Sequence, residues 1–333
     1  MSLGPEAPIV TICGMLSGFL AKRWFRICDK DNCLRFVLCG MASGFSVFFG
    51  ANLGGSLFAL EILHRQGYEY FEHMIYAVCS GAVSTFISLS LSGRSFNGVW
   101  YFQPFGNCSV ADMVCGCFLG LSGCILAVLL GEVVKLQRKL VKEFRLVEKP
   151  VCLALLGAMA NTLIGILLPQ SNFWGEMEIQ RVIQLKDTHW NYYFTMENSA
   201  NLDNVTPTVA YYILLAFAKL ICVSIALTMN FCGGFIFPIM FIGVAFGRAL
   251  SLAIPQLPVE TSCLCCAAGI SVSLTKTPLG TPLVLAQLSN SMESFPAVFG
   301  ASLVSICATH YYHPFLSSQT SRSDILKKFL LFD

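Results

Sequence analysis

Charge is the scarcest ingredient of this 333-residue chain, with 12% Asp, Glu, Lys and Arg against 55% hydrophobic residues. The length would accommodate two soluble domains, and so few charges argue against them. A net charge of +2 leaves no excess that would recruit nucleic acid or an acidic substrate. Histidine is sparse too, five in all. The apolar stretches hold no Ser/His pair, no paired Asp and no His-Glu-x-x-His arrangement, so no catalytic residue is assigned and an enzyme is not expected. Cys263, Cys265 and Cys266 form the densest cysteine group without a second Cys/His pair at ligand spacing, and His310 and His313 have no third ligand in view. Neither a metal nor any other cofactor is therefore expected. No signal peptide precedes the first apolar stretch.

What the chain has in abundance is apolar length. Mean hydropathy is +0.67. About ten apolar segments, separated by short polar joints, begin near Ala7, Leu34, His73, Val110, Val151, Val209, Gly234, Cys263, Pro278 and Phe295. Several are shorter than the ~20 residues of a full span or carry Gly or Pro inside them. The fold class implied is all-α: a polytopic membrane protein with broken, re-entrant helices, its partner the lipid bilayer. Most of the sixteen cysteines, such as Cys13, Cys39, Cys79, Cys124, Cys152 and Cys222, lie in these runs and act as small hydrophobes. Two basic clusters, Lys22, Arg23, Arg26, Lys30 and Arg35, and Lys135, Arg138, Lys139, Lys142, Arg145 and Lys149, flank apolar segments as cytoplasmic joints do. Phe173-Trp174-Gly175-Glu176 and the polar stretch from Gln184 to Thr206, with a glycosylation spacing at Asn204 followed by Pro207, read as a loop outside the hydrocarbon.

Two motifs recur in the same order in both halves. Gly4-Pro5-Glu6-Ala7-Pro8-Ile9 aligns with Gly234-Phe235-Ile236-Phe237-Pro238-Ile239, sharing the glycine, the proline and the isoleucine. The run from Asn52 to Glu61 aligns with Pro278 to Gln287, and Gly44-Phe45-Ser46-Val47 with Gly269-Ile270-Ser271-Val272. Duplicated halves with discontinuous helices at their interface are a common plan for membrane transport proteins. A helix that starts inside the membrane has unpaired N–H groups and a partial positive charge at that end, which an anion satisfies. Glycine permits close approach of the backbone, and proline in the first turn gives up an N–H that has no intrahelical partner. Phe235, Ile236 and Phe237 offer amides without a charged side chain, suited to binding weak enough for release. Glu6 is a carboxylate at the matching position, able to occupy such a site and leave it. Lys219 lies within the apolar run Val209–Met229, where an ionisable group is either snorkelling or placing positive potential on an anion path.

These motifs resemble the CLC family of chloride channels and chloride/proton exchangers, over nearly the whole chain. Gly4-Pro5-Glu6-Ala7-Pro8 is similar to the family's Gly-x-Glu-x-Pro gate, and Gly234-Phe235-Ile236-Phe237-Pro238 to its filter, differing at Ile236. The resemblance implies one CLC-like transmembrane domain of two inverted halves over 1–333, with 1–93 the remainder of the first, 110–312 the second and 313–333 the start of a final helix and tail. It implies Glu6 as gate, chloride or a similar small anion on the amides of Phe235, Ile236 and Phe237, and a homodimer. About five family helices would precede Met1, which reads as an N-terminal truncation, and no cytosolic regulatory domains follow. The exchangers' second glutamate falls at Ile62, next to Glu61, and the pore tyrosine at Leu316, so both positions join Glu61 and Lys219 as candidate pore-lining residues. The reading favours a voltage-gated-type chloride channel over a proton-coupled exchanger. The alternative is a truncated, transport-incompetent relative serving as an assembly partner or a partial gene product.

Overall fold

The computed structural model describes residues 2–27, 29–63, 68–93, 100, 102, 109–183 and 208–310. Leu316, Tyr311, Tyr312, His313 and Asn204 lie outside them. The helices are α1 (Glu6–Arg23), α2 (Lys30–Phe49), α3 (Asn52–Ile62), α4 (Tyr68–Ser92), α5 (Val110–Glu143) and α6 (Pro150–Leu167), followed by α7 (Glu176–Ile183), α8 (Val209–Thr228), α9 (Ile236–Ala253), α10 (Val259–Thr275), α11 (Gly280–Leu288) and α12 (Phe295–Ala308). Six of these, α2, α4, α5, α6, α8 and α9, are long and apolar enough to cross a membrane. At 1.5 Å per residue α5 is roughly 51 Å long and outruns a ~30 Å hydrocarbon layer, whereas α3 and α11 reach roughly half of one. These two are the short re-entrant pieces that the sequence promised.

Polar caps start three of these helices, and the first of them begins earlier than hydropathy alone indicates. Asp29 accepts the Asn32 amide and starts α2 at Lys30, ahead of the apolar run at Leu34. Ser109 and Asp112 close a capping box on α5, and Thr208 caps α8. Gly50, at φ 61°, ends α2 in the left-handed conformation that glycine adopts without strain.

With lipid as solvent, close backbone approach rather than hydrophobic collapse joins such helices. Gly116 and Gly120 of α5 press on Ala297 and Ala301 of α12, and Gly123 on the Cys266–Ile270 stretch of α10. The contact pattern repeats: α1 packs on α2 as α9 does on α10, α2 on α4 as α10 on α12, and α3 on α4 as α11 on α12. The internal duplication in the sequence is thus a duplication in space.

Pairwise contacts also fix direction. Arg35 bonds Glu72 and Ser43 meets Ser80 at 2.7 Å, so α2 and α4 run parallel. The end of α3 meets the start of α11 at Glu61 and Gly280, and α10 leads into α11 there. Lys276, just past α10, donates to the Thr309 carbonyl beyond α12 at 2.6 Å, and α5 runs parallel to both. The α1–α2 and α5–α6 joints, which carry the two basic clusters, therefore share one face of the molecule.

Candidate anion site

Each repeated Gly–Pro motif opens a helix inside the protein. In α1 the first three helical residues are Glu6, Ala7 and Pro8; in α9 they are Ile236, Phe237 and Pro238. Both prolines thus fall among the first four positions, whose N–H groups have no intrahelical acceptor. The two starts face each other. Gly4 N donates to Gly234 O at 2.7 Å and Gly234 N to Gly4 O at 2.6 Å, an antiparallel bridge formed by the two motif glycines. A Cβ on either glycine would collide with the Glu6 carboxylate where it is seated, so the two glycines leave room for that seat.

The Glu6 side chain is wholly buried and crosses from its own helix to the other. Its Oε1 accepts the Phe237 amide at 3.1 Å, while Oε2 is buried without a hydrogen-bond partner among the described residues. A carboxylate on a helix-start amide is a tethered anion in an anion's place. Of the three amides singled out in the sequence, Phe237 N–H is the one engaged in this way. Nearby, the Phe237 ring meets Phe48 and Phe49 at 5.6 Å and Trp100 at 6.0 Å, edge to face. This aromatic wall escaped sequence reading. Phe45 and Phe49 at helical spacing were its sole local trace, and Trp100 belongs to no motif.

Glu61 lies at the end of α3, nearly buried, and accepts from Leu279 N at 3.2 Å and Gly280 N at 2.9 Å, capping α11. Its repeat counterpart, Gln287, accepts from Gly54 N near the start of α3 at 3.2 Å. The antiparallel short helices therefore cap one another. Ile62 is half-buried and packed against the core.

Lys219 is fully buried, and its ammonium donates to the carbonyls of Ser171 at 2.9 Å, Asn172 at 3.4 Å and Phe173 at 2.5 Å, 5.3 Å from the Phe241 ring centroid. It does not snorkel. The stretch from Gln184 to Thr206 lies outside the described residues, while the turn that Lys219 holds lies against α9, with Gly175 buried on Phe241 and Trp174 packed on the core. Its carbonyls point to a buried cation rather than to water.

Two inverted halves, helices that start in the interior and a carboxylate seated on an opposing helix start are the architecture of a membrane fold built on discontinuous helices. Residues 1–310 match the voltage gated chloride channel family, and the chain belongs to that family. It is a multi-pass membrane protein. YfeO of Escherichia coli strain SMS-3-5 is 23% identical over 286 residues, covering 83% of this chain and 60% of that protein, and YfeO of Escherichia fergusonii matches equally well. The chain thus spans about 60% of the length of these curated relatives. Among solved structures, a slow cyanobacterial Cl-/H+ antiporter has the same fold over 100% of this chain and 73% of its own, with TM-score 0.75 at 15% identity. A CLC-type fluoride/proton antiporter matches with TM-score 0.70 at 20% identity, over 95% of this chain and 72% of its own.

Proposed function

We propose that the protein passes chloride or a similar small anion across a bilayer, and that Glu6 is the gate. The observation that carries this reading is the Glu6 Oε1 to Phe237 N–H bond, a carboxylate spanning from one half-helix start to the other. When the carboxyl is ionised it holds the site against a mobile anion. Protonation removes its negative charge, weakens its hold on the amide and frees the helix starts of α1 and α9 for the substrate. Flux should accordingly rise as pH falls. Amides and helix dipoles, rather than fixed cations, bind weakly enough for transit.

The uncoupled mode, a channel rather than an exchanger, is favoured by two residues. Ile62 carries no proton, and the neighbouring Glu61 is committed to the start of α11. The reading includes two copies of the chain, each with its own path, as the family resemblance implies. No cofactor enters it.

Reconstitution into chloride-loaded liposomes tests the proposal. Glu6→Gln is expected to leave flux high and nearly independent of pH, with chloride moving and no proton uptake. Absence of anion flux in the wild type, or a pH profile untouched by Glu6→Gln, would overturn the gate.

A further inference from the structure

The turn from Ser171 to Glu176 is fixed from several directions. Phe173, at φ 57°, and Gly175, at φ 96°, both take left-handed backbone conformations. Lys219 gathers three of the turn's carbonyls, and Gly175 lies so close to the Phe241 side chain on α9 that a Cβ there would be crowded at 3.1 Å. What this arrangement holds in place is Glu176. Its Oε2 accepts from Trp174 Nε1 at 3.0 Å, and its carbonyl accepts from Trp100 Nε1 at 3.2 Å. The Trp100 ring lies against that of Phe237, whose amide seats Glu6.

The Glu176 backbone is thus anchored two aromatic rings, Trp100 and Phe237, from the amide that seats Glu6, across the molecule from the basic joints, and the residue's negative charge is a minor contribution at Glu6 beside burial. An acidic group beside an anion path opposes the passage of anions, so chloride binding does not account for it. Of the other charged groups about the turn, Glu178 lies within range of Lys219, Arg181 and Glu176 itself, and Arg248 of α9 acts on Tyr212 and Cys263.

Resting on the reading of Glu6 as gate, we infer that Glu176 is a positioning residue for that gate: a fixed negative charge that repels the Glu6 carboxylate from its seat on Phe237 and eases opening. The ionised Glu6 is the form that Glu176 disfavours. Removing the outer charge therefore makes the closed, ionised gate easier to keep, and more protons are needed to open it.

The test is anion flux against pH in liposomes for the wild type, Glu176→Gln, Glu176→Asp, Glu6→Gln and the Glu6→Gln/Glu176→Gln double variant. Glu176→Gln should move the midpoint of the profile down by roughly half a pH unit or more. Glu176→Asp should stay near the wild type, and the double variant should match Glu6→Gln. An unmoved midpoint in Glu176→Gln, or a shift that persists in the Glu6→Gln background, overturns the inference while leaving Glu6 as the gate. A pH dependence that survives Glu6→Gln overturns the gate itself, and the inference with it. If Glu176→Gln does not fold, Trp174→Phe serves instead: it keeps the charge, frees it from its anchor, and should give a smaller shift in the same direction. No shift in that variant counts against the inference.

Discussion

At the scale of single residues, Lys219 and Glu6 mark how far local sequence reaches. That a lysine inside an apolar run demands a partner could be read from the run itself. Which partner could not, because the carbonyls of Ser171, Asn172 and Phe173 lie 46 to 48 residues upstream along a segment that reads as an interfacial loop. Snorkelling and a place on the anion path were the two roles open to Lys219 on hydropathy; the fold gives it a third, a buried clamp. Lys219→Met should therefore act first on stability. It orphans buried carbonyls and should cost roughly 3 kcal/mol, read as a lowered unfolding temperature of the detergent-solubilised protein. Unchanged stability with reduced anion conductance would instead make Lys219 part of the path. For Glu6, the motif disclosed a carboxylate at a helix start, but its acceptor role toward Phe237, 231 residues away, required the two halves to meet.

Among the elements, those most legible were the ones whose starts repeat. Aligned glycines and prolines located the openings of α1 and α9, and the Leu–Gly step located α3 and α11, since a duplicated motif carries its geometry with it. The start of α2 was less legible, because hydropathy begins counting only after the cap at Asp29, whereas the capped starts of α5 and α8 fell where hydropathy placed them. The exchange between Glu61 and Gln287 was invisible for a different reason: alignment showed the two as equivalent, yet equivalence says nothing about each reaching for the other's helix. The charge is present on one side only. Glu61→Gln should weaken the α11 cap by about 1 kcal/mol, lowering the unfolding temperature by a few degrees while leaving the pH dependence of flux in place. Loss of that pH dependence would place Glu61 on a proton route and contradict the cap.

For the molecule as a whole, the two basic clusters lie on one face, an outcome no count of hydrophobic segments could deliver because re-entrant helices upset the parity. Positive charge flanking membrane helices collects on the cytoplasmic side. Glu148→Cys, in the exposed joint between α5 and α6, should accordingly react with a membrane-impermeant thiol reagent only when the cytoplasmic face is open to it. Labelling from the opposite side in intact cells would reverse the orientation. The antiparallel trade of caps has one more consequence, which concerns the order of synthesis. The amide of Gly54 is satisfied by a side chain made 233 residues later, and the bridge from Gly4 closes only when Gly234 has emerged. A nascent first half must then wait in the bilayer with polar backbone ends uncovered, so that completion of the last helices, rather than insertion of the first, is the event that commits this chain to its native state.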